Sequence, residues 1–155
     1  MDYNEIKTKI QNSKIIVTGP HFSGTGLCAI ALANHLGYSL DNEVYANVDD
    51  YETAVTLLKA HDRIILQAPG LCHKAHELDA AIILMIRPFH EIIIAENKHA
   101  WDGAKAELNK YGSHGKNGKR RMVAIVKYDF WYRHQRHLCQ EMYEVDYYSL
   151  PGVKR

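Results

Sequence analysis

Residues 14–37, KIIVTGPHFSGTGLCAIALANHLG, restrict the folds open to this chain more than any other segment. The segment begins with a short β-branched run, continues through a glycine-rich loop and ends in a longer apolar stretch that stops at Gly37. This order is typical of a strand, a tight loop and a helix. Such units build sheets in which strands alternate with helices, because the helix covers one face of the strand that precedes it.

Strand and helix patterns alternate through the rest of the chain. The apolar runs RIILQAP and AAIILMIRP predict strands, the second of a kind buried on both faces of a parallel sheet, and MYEVDYYSLP predicts the last strand. A weak strand is predicted at residues 43–46 and a helical stretch at about residues 90–111. We therefore predict an α/β fold in three layers, with a mostly parallel central sheet of about five strands and helices on both faces. Residues 1–155 form one domain, because no linker or repeat divides them.

The composition excludes several classes of partner. The chain has 155 residues and a formal net charge of +1, so its overall charge does not favour nucleic acid or a membrane surface. No apolar run reaches the roughly 18 residues of a membrane span, and the charged first residues lack the apolar centre of a signal peptide. The three cysteines are widely spaced, which is typical of reduced structural thiols. We therefore expect a cytoplasmic protein.

The loop GPHFSGTG after the first strand has the composition of a phosphate-binding loop. Gly19, Gly24 and Gly26 would let a phosphate approach the backbone N–H groups at the positive end of the following helix. Ser23 and Thr25 could add hydroxyl donors. The glycine spacing is that of the nucleotide-hydrolysing motif, but Thr25 occupies the lysine position and Gly26 the position of the Mg²⁺-binding hydroxyl. The loop therefore argues against ATP hydrolysis, and a plain turn that binds nothing is the alternative.

Taken together, these motifs resemble the P-loop sulfotransferases, especially the bacterial and phage-type branch. The Ser-Gly-Thr core of the loop, the apolar helix LCAIALANHLG and the strand end Arg87-Pro88 match in order, and YEVDYYSLPG is similar to the family's late tyrosine-rich strand. The resemblance spans residues 14–151 and implies a P-loop NTPase-like fold. It also implies 3′-phosphoadenosine-5′-phosphosulfate (PAPS) as the co-substrate that donates the sulfuryl group, with no metal and no covalently bound cofactor.

The resemblance further implies which residues hold the donor. Arg87 would bind the 3′-phosphate, and the loop would bind the phosphosulfate side. The implied loop residues are Gly19, His21, Ser23, Gly24, Thr25 and Gly26. Three positions depart from the family pattern: Phe22 replaces a loop arginine, Gln67 replaces a lysine of the third strand, and Ala95 replaces a serine that holds the 3′-phosphate. Each departure removes a polar or charged contact to the donor.

Two histidines are candidates for the chemistry of sulfuryl transfer, which needs a general base on the acceptor and donors around the transferred group. His21, in the loop, could donate to a phosphate or sulfuryl oxygen. The resemblance places His73 where the family has its catalytic base. Each also has a simpler interpretation as a solvated or structural residue, since the chain contains ten histidines. Cys72, His73 and His76 could together bind zinc, but three ligands in one short turn give incomplete support, and no metal ligand is assigned.

Three functions remain open at this level. The first is a small sulfotransferase-like protein that binds PAPS or adenosine 3′,5′-bisphosphate and transfers a sulfuryl group to an unknown hydroxyl or amine acceptor. The second is a non-catalytic derivative of the fold that acts through protein partners, and the third is a small nucleotide kinase. In the segment GSHGKNGKRR, Lys116, Lys119, Arg120 and Arg121 could close over a bound anion as a basic lid, or form an exposed loop.

Overall fold

The computed structural model describes residues 1–116 and 123–155. In this part of the chain one parallel sheet contains five strands. They are β1 (Lys14–Thr18), β2 (Ser39–Asn42), β3 (Ile64–Gln67), β4 (Ala81–Ile86) and β5 (Met142–Asp146). The order across the sheet is β2-β3-β1-β4-β5, and every neighbouring pair is parallel. The predicted parallel α/β sheet is confirmed.

Helices form the connections between the strands. The α-helices are α1 (Tyr3–Lys9), α2 (Thr25–Leu36), α3 (Glu43–Ala46), α4 (Tyr51–Ala60), α5 (Phe89–Lys98), α6 (Ala104–Asn109), α7 (Ser113–Lys116) and α8 (Val123–Phe130). Short 3₁₀ segments lie at Pro69–Glu77, Arg136–Leu138 and Tyr147–Ser149, and a π-helical turn at Trp131–Gln135 continues α8. No helix in the described part of the chain is both long enough and apolar enough to cross a membrane.

The central strands are buried on both faces, and this burial produces the three layers. Successive residues of a strand point to opposite faces of the sheet. Ile16 therefore belongs to a buried cluster with Leu71 and Trp131, whereas Ile15 belongs to another cluster with Leu32 of α2. Burying one large aliphatic side chain contributes about 1.5–3 kcal/mol, so the two clusters hold the sheet firmly between its helices.

The strand order places a crevice at the carboxyl end of β1. From β1 the chain crosses to β2 at one edge of the sheet, beyond β3, whereas β4 lies on the other side of β1. In open parallel sheets, ligands bind where the connections diverge in this way, beyond the carboxyl ends of the strands. The loop at residues 19–26 follows β1 and therefore lies at this crevice.

The second strand lies earlier than the sequence pattern predicts. A strand is predicted at residues 43–46, but these residues form α3, and β2 ends at Asn42. The side chain of Asn42 accepts hydrogen bonds from the N–H groups of Val44 and Tyr45, each at 3.0 Å, and so caps the first turn of the helix. The strand prediction is wrong, because a capping asparagine outweighs the β propensity of Val44 and Tyr45.

The helical stretch predicted at residues 90–111 is divided in two. Helix α5 ends at Lys98 and α6 begins at Ala104. Between them, Ala100 has a φ of 48°, in the left-handed region that interrupts a helix. The break brings the ring of Trp101 within 4.9 Å of the ring of His21, measured between centroids. The interruption therefore gives the loop after β1 one of its neighbours.

The segment predicted as a basic lid lies mostly outside the described residues. Lys119, Arg120 and Arg121 belong to residues 117–122, and α7 ends at Lys116 just before them. The lid therefore stays a prediction.

Candidate phosphate-binding site

The loop between β1 and α2 is held together by contacts among its own residues. The N–H and the hydroxyl of Ser23 both donate to the carbonyl oxygen of Pro20, at 3.2 and 2.6 Å. Phe22, inside this turn, has a φ of 62°, a left-handed conformation that residues other than glycine seldom adopt. Ser23 is fully buried, so in this conformation its hydroxyl proton stabilises the turn.

Two glycines are required by the backbone of the loop. Gly19 has a φ of 138°, and a Cβ there would lie 3.2 Å from the carbonyl oxygen of Met85. Gly24 has a φ of 98°, and a Cβ there would lie 2.6 Å from the ring of Tyr147. At Gly26 a Cβ would meet nothing within 4 Å. Backbone geometry therefore explains glycine at the first two positions, and at Gly26 nothing in the described residues requires it.

The amino end of α2 presents backbone donors that no group in residues 1–116 or 123–155 uses. Gly24 caps the helix without a side-chain hydrogen bond. The N–H of Cys28 bonds the carbonyl of Gly24 at 3.0 Å, but the N–H groups of residues 24–27 bond no acceptor in the described part of the chain. Free N–H groups at the positive end of a helix dipole are a general anion-binding arrangement. The predicted roles of Gly24, Thr25 and Gly26 depend on these donors.

Thr25 is tied to the neighbouring strand. Its hydroxyl oxygen accepts a hydrogen bond from the side-chain nitrogen of Gln67 at 3.0 Å, and both residues are buried. Thr25 stands at the lysine position of nucleotide-hydrolysing loops, and Gln67 stands at the lysine position of the sulfotransferase pattern. Two positions that carry cations in those patterns therefore form a neutral hydrogen-bonded pair in this protein.

A cleft of about 700 Å³ opens beside the loop. It is bounded by the loop, by Leu27 and Ile30 of α2, by Trp101, and by the polar side chains of Glu43 and Gln67. Among the described residues, no lysine or arginine lines it. Within the described part of the chain, the cleft therefore offers a ligand apolar walls and backbone donors, but no lysine or arginine side chain.

Phe22 and Ala95 are apolar at positions where the sulfotransferase pattern has an arginine and a serine. The ring of Phe22 stacks on that of His99, with centroids 5.4 Å apart and planes 10° apart, and meets Trp101 edge-on. Ala95 lies half-buried on α5. Neither position supplies a charge to the site.

Three ionisable side chains from different segments meet near this cleft. The Nε2 atom of His21 lies 3.4 Å from Oε2 of Glu43. With Asp49 they form a group in which one ligand-type atom of each residue lies within 4.8 Å of the others. Asp49 also accepts a hydrogen bond from the N–H of Gly70 at 2.8 Å. The Nδ1 atom of His21 is buried and has no hydrogen-bond partner among the described residues.

The two carboxyl groups of this cluster have opposite pKa shifts. Burial, together with the adjacent Glu43 carboxylate, raises the pKa of Asp49 to about 7. Burial also acts to raise the pKa of Glu43, but hydrogen bonds from His21 and Asp49 outweigh it and hold that pKa well below its ordinary value. Two carboxyl groups this close favour a shared proton or a nearby cation over two free negative charges.

Sequence reasoning did not assign Glu43 and Asp49 to the site. Both belong to the segment DNEVYANVD, which spans the end of β2 and the residues after it. Acidic residues that directly follow a strand of a parallel sheet lie near its ligand-binding edge. The position of Glu43 and Asp49 after β2 could therefore have indicated a role in the site. The strand predicted at residues 43–46 placed Glu43 inside the strand and not after it.

Arg87, the residue implied for the 3′-phosphate, follows β4 and contacts the loop. Its Nη1 donates to the carbonyl oxygen of Phe22 at 2.8 Å, and its Nε pairs with Glu91 at 3.1 Å. Its guanidinium carbon lies 4.2 Å from the ring centroid of Tyr147. These contacts stabilise the left-handed turn at Phe22. Arg87 also borders a second cleft, of about 560 Å³.

His73, the other implied catalytic residue, lies in the 3₁₀ segment after β3. It packs on Tyr111, with ring centroids 5.8 Å apart, and is not among the residues that bound the cleft beside the loop. Burial and the positive charge of Lys110 lower the pKa of His73 to about 4. Near neutral pH the imidazole is therefore uncharged.

The alternative zinc ligands do not come together. Within residues 1–116 and 123–155, Cys72, His73 and His76 form no ligand cluster. Cys72 is fully buried, and the Nδ1 of His76 bonds the side-chain nitrogen of Gln135 at 2.9 Å. Local packing therefore directs these side chains to separate partners.

We expect the buried state of His73 to make stability depend on pH. Its pKa is lower in the folded protein than in the unfolded chain, so the contribution of His73 to the free energy of unfolding is fully present above about pH 6.5 and is lost as the pH drops toward about 4. Allowing for partial exposure, the loss is about 1–2 kcal/mol. Urea unfolding at about pH 7.5 and about pH 4.5 should show a smaller loss in His73→Asn than in the wild type. His35→Asn, at an exposed histidine, is the control, and equal losses in all three proteins would contradict the prediction.

Comparison with known proteins identifies the fold. No protein-family model and no curated protein matches the chain. Among solved structures it is similar to shikimate kinase from Acinetobacter baumannii in complex with shikimate, with a TM-score of 0.58 and 9% sequence identity over 92% of this chain and 87% of the kinase chain. The chain has a P-loop NTPase-like fold. At this identity the likeness is one of fold alone, so the sulfotransferase resemblance depends on the motifs of the sequence.

Proposed function

We propose that this protein binds a phosphorylated nucleotide, adenosine 3′,5′-bisphosphate or PAPS, through the loop at residues 19–26. The observation that carries the proposal is the set of unused N–H groups at residues 24–27, which lies at the cleft of about 700 Å³. A phosphate bound there accepts hydrogen bonds from the backbone and needs no lysine. His21 lies at the same cleft and could donate a further hydrogen bond.

The nucleoside and its 3′-phosphate would lie in the second cleft, beside Arg87. That cleft is bounded by the aromatic side chains of Phe89, Tyr132 and Tyr148. Aromatic rings are the usual surfaces on which nucleotide bases stack, and a guanidinium binds phosphate through paired donors. Because Arg87 also donates to the carbonyl of Phe22, it would connect the two halves of the ligand site.

The reaction that we propose for bound PAPS is sulfuryl transfer. With PAPS bound, the sulfuryl group would face the first cleft, where a hydroxyl or amine acceptor would enter. His21 borders this cleft and is oriented by Glu43. His73 packs on Tyr111 instead, so its role as base rests on the resemblance. A His73→Gln variant that transfers sulfuryl groups at the wild-type rate would remove it from the chemistry.

A nucleotide kinase is the second candidate, and the fold shared with shikimate kinase is the observation that favours it. Phosphoryl transfer in P-loop enzymes uses a loop lysine and a hydroxyl that holds Mg²⁺. Thr25 and Gly26 occupy those two positions, and no lysine or arginine among the described residues lines the cleft. The side chains of the loop therefore favour the sulfotransferase-like mode.

Thermal and urea unfolding with added nucleotide tests the proposal. We expect adenosine 3′,5′-bisphosphate at 100 times its Kd to raise the free energy of unfolding by about 2.7 kcal/mol. The same measurement with PAPS, with ATP plus Mg²⁺ and with sulfate separates the candidates. A shift with ATP and Mg²⁺ alone would favour the kinase. If none of these ligands changes the free energy of unfolding, the nucleotide proposal is wrong, and the non-catalytic derivative that acts through protein partners is favoured.

The role of Arg87 in binding the 3′-phosphate can be tested by comparing the affinities of two ligands that differ by that phosphate. In the wild type, adenosine 3′,5′-bisphosphate should bind at least about tenfold more tightly than adenosine 5′-monophosphate, as expected for one charge-assisted contact. In Arg87→Ala the two affinities should become equal. Glu91→Gln is the matched control, because it removes the ion-pair partner of Arg87 and keeps the guanidinium. An unchanged preference in Arg87→Ala would assign the 3′-phosphate to another residue.

A further inference from the structure

We propose that His21, Glu43 and Asp49 bind a divalent transition-metal ion, Zn²⁺ or Mn²⁺, beside the phosphate-binding loop. One imidazole nitrogen and two carboxylate oxygens from three separate segments lie within 4.8 Å of one another. Imidazole favours zinc and its neighbours in the first transition row, and carboxylates accept both zinc and manganese. The site goes beyond the nucleotide proposal and can be tested without any nucleotide.

Two of the three side chains already have the spacing of ligands on one metal ion. Atoms that ligate one zinc ion lie about 2.0–2.2 Å from the metal and hence roughly 3–3.5 Å from one another. The Nε2 of His21 and the Oε2 of Glu43 are already 3.4 Å apart. Asp49 would complete a set of three protein ligands. Because Glu43 and His21 border the open cleft, the fourth position would be left to a water or to an oxygen of a ligand.

The imidazole of His21 separates this cluster from an ordinary group of acidic residues. Its Nε2 faces Glu43 at 3.4 Å, and its other ring nitrogen, Nδ1, is buried and has no hydrogen-bond partner among the described residues. With Nε2 on the metal, Nδ1 would carry the ring proton, and a buried donor without a protein partner commonly bonds an ordered water. One imidazole nitrogen beside two carboxylates is a donor set that zinc sites use.

Electrostatics gives a second reason for a cation at this position. Two carboxyl groups lie beside a loop whose unused N–H groups suit an anion, and in the described residues no lysine or arginine lines the cleft between them. A phosphate would approach Glu43 against its negative charge. A divalent ion on the three side chains would offset both carboxylates and attract the anion. With the ion bound, His21 would act on a nucleotide through the metal.

Neighbouring groups already hold two of the ligands in place. Asp49 accepts a hydrogen bond from the N–H of Gly70 at 2.8 Å, and the carbonyl of Gly70 accepts one from Nζ of Lys110 at 2.9 Å. Glu43 is the first residue of α3, whose first turn is capped by Asn42. Hydrogen bonds to metal ligands orient them and commonly change metal affinity by about 10–100-fold. The ligand set is therefore supported by backbone and helix contacts.

Metal titration of the full chain tests the site. Isothermal titration with Zn²⁺ and the loss of the free Mn²⁺ signal in electron paramagnetic resonance should each report one ion per chain. We expect Glu43→Gln, Asp49→Asn and His21→Gln each to weaken this binding at least about tenfold, because even the loss of a residue that only orients a ligand commonly weakens binding by about 10–100-fold. Circular dichroism and thermal unfolding show whether each variant remains folded. The metal is added alone, so a failure of nucleotide binding leaves this result intact.

Two variants control for binding elsewhere. Glu77→Gln changes an exposed acid outside the cluster, and its affinity should equal that of the wild type. His134→Gln removes a second histidine pair, in which the Nε2 atoms of His114 and His134 lie 2.9 Å apart, and it should keep the proposed site. The proposal is overturned if neither metal binds, or if folded Glu43→Gln and Asp49→Asn bind both metals as tightly as the wild type.

Discussion

Replacement of Lys127 by methionine is expected to lower the free energy of unfolding by about 3–5 kcal/mol. The Lys127 side chain is fully buried. Its Nζ lies 2.7 Å from Oε2 of Glu107 and donates to the carbonyl oxygen of Pro69 at 2.8 Å. Methionine restores most of the volume, but it leaves a buried carboxylate and a carbonyl without this partner. Urea unfolding measures the difference.

The control for this variant is Lys105→Met, which changes an exposed lysine of α6. Its effect should stay within about 0.5 kcal/mol. Lys110 also pairs with Glu107, at 2.7 Å. Burial acts to raise the pKa of Glu107, and the two lysines hold it below its ordinary value. If Lys127→Met costs less than about 1 kcal/mol, Lys110 alone is enough to stabilise the carboxylate.

The same buried pair supports the candidate site. Lys127 bonds the carbonyl of Pro69, and Lys110 bonds the carbonyl of the next residue, Gly70. The N–H of Gly70 in turn donates to Asp49. Helices α6 and α8 are thereby fastened to the residues that follow β3. We therefore expect Lys127→Met to weaken metal and nucleotide binding as well as the fold.

The second large effect is expected at Gly24. Alanine there would have to adopt a φ of 98°, and its Cβ would lie 2.6 Å from the ring of Tyr147. The left-handed conformation costs about 1–2 kcal/mol, and the steric clash adds about 1–3 kcal/mol. The carboxyl end of the loop would have to move, so we expect adenosine 3′,5′-bisphosphate binding to fall by at least about 100-fold, which is about 2.7 kcal/mol.

Gly37→Ala is the matched control for this experiment. Gly37 ends the same helix that Gly24 begins, and it also has a positive φ, of 69°, but a Cβ there would meet nothing within 4 Å. It should lose only the conformational part of the free energy, about 1–2 kcal/mol. Nucleotide affinity should be unchanged in Gly37→Ala, as measured by titration. Equal affinities in the two variants would place the nucleotide away from the loop.

Local sequence patterns predicted the sheet and the position of the loop. Continuous apolar strands such as AIILMI are typical of parallel sheets that helices cover on both faces. Gly19 and Gly24 mark a turn that other residues could not easily adopt. The same patterns misplaced β2. The side chain of Asn42 caps the first turn of α3, and a hydrophobic pattern does not detect such a hydrogen bond.

The constellation at the site could not be predicted in the same way. His21, Glu43 and Asp49 are up to 28 positions apart in the sequence (49 − 21 = 28), and only the crossover from β1 to β2 brings them together. The partner of Thr25 is likewise set by β3, whose parallel register against β1 places Gln67 opposite Val17. The positions of these side chains depend on strand order and not on local periodicity.

The sequence by itself determined that this protein has a P-loop type of strand, loop and helix within a parallel α/β sheet. Those features follow from hydrophobic burial and backbone freedom, which act over a few neighbouring residues. Tertiary structure alone decided that a histidine and two carboxyl groups meet at the cleft beside the loop, and that among the described residues no lysine or arginine lines this cleft. The reason is electrostatic: the charge at a site is the sum over side chains that distant strands bring within a few ångströms of one another.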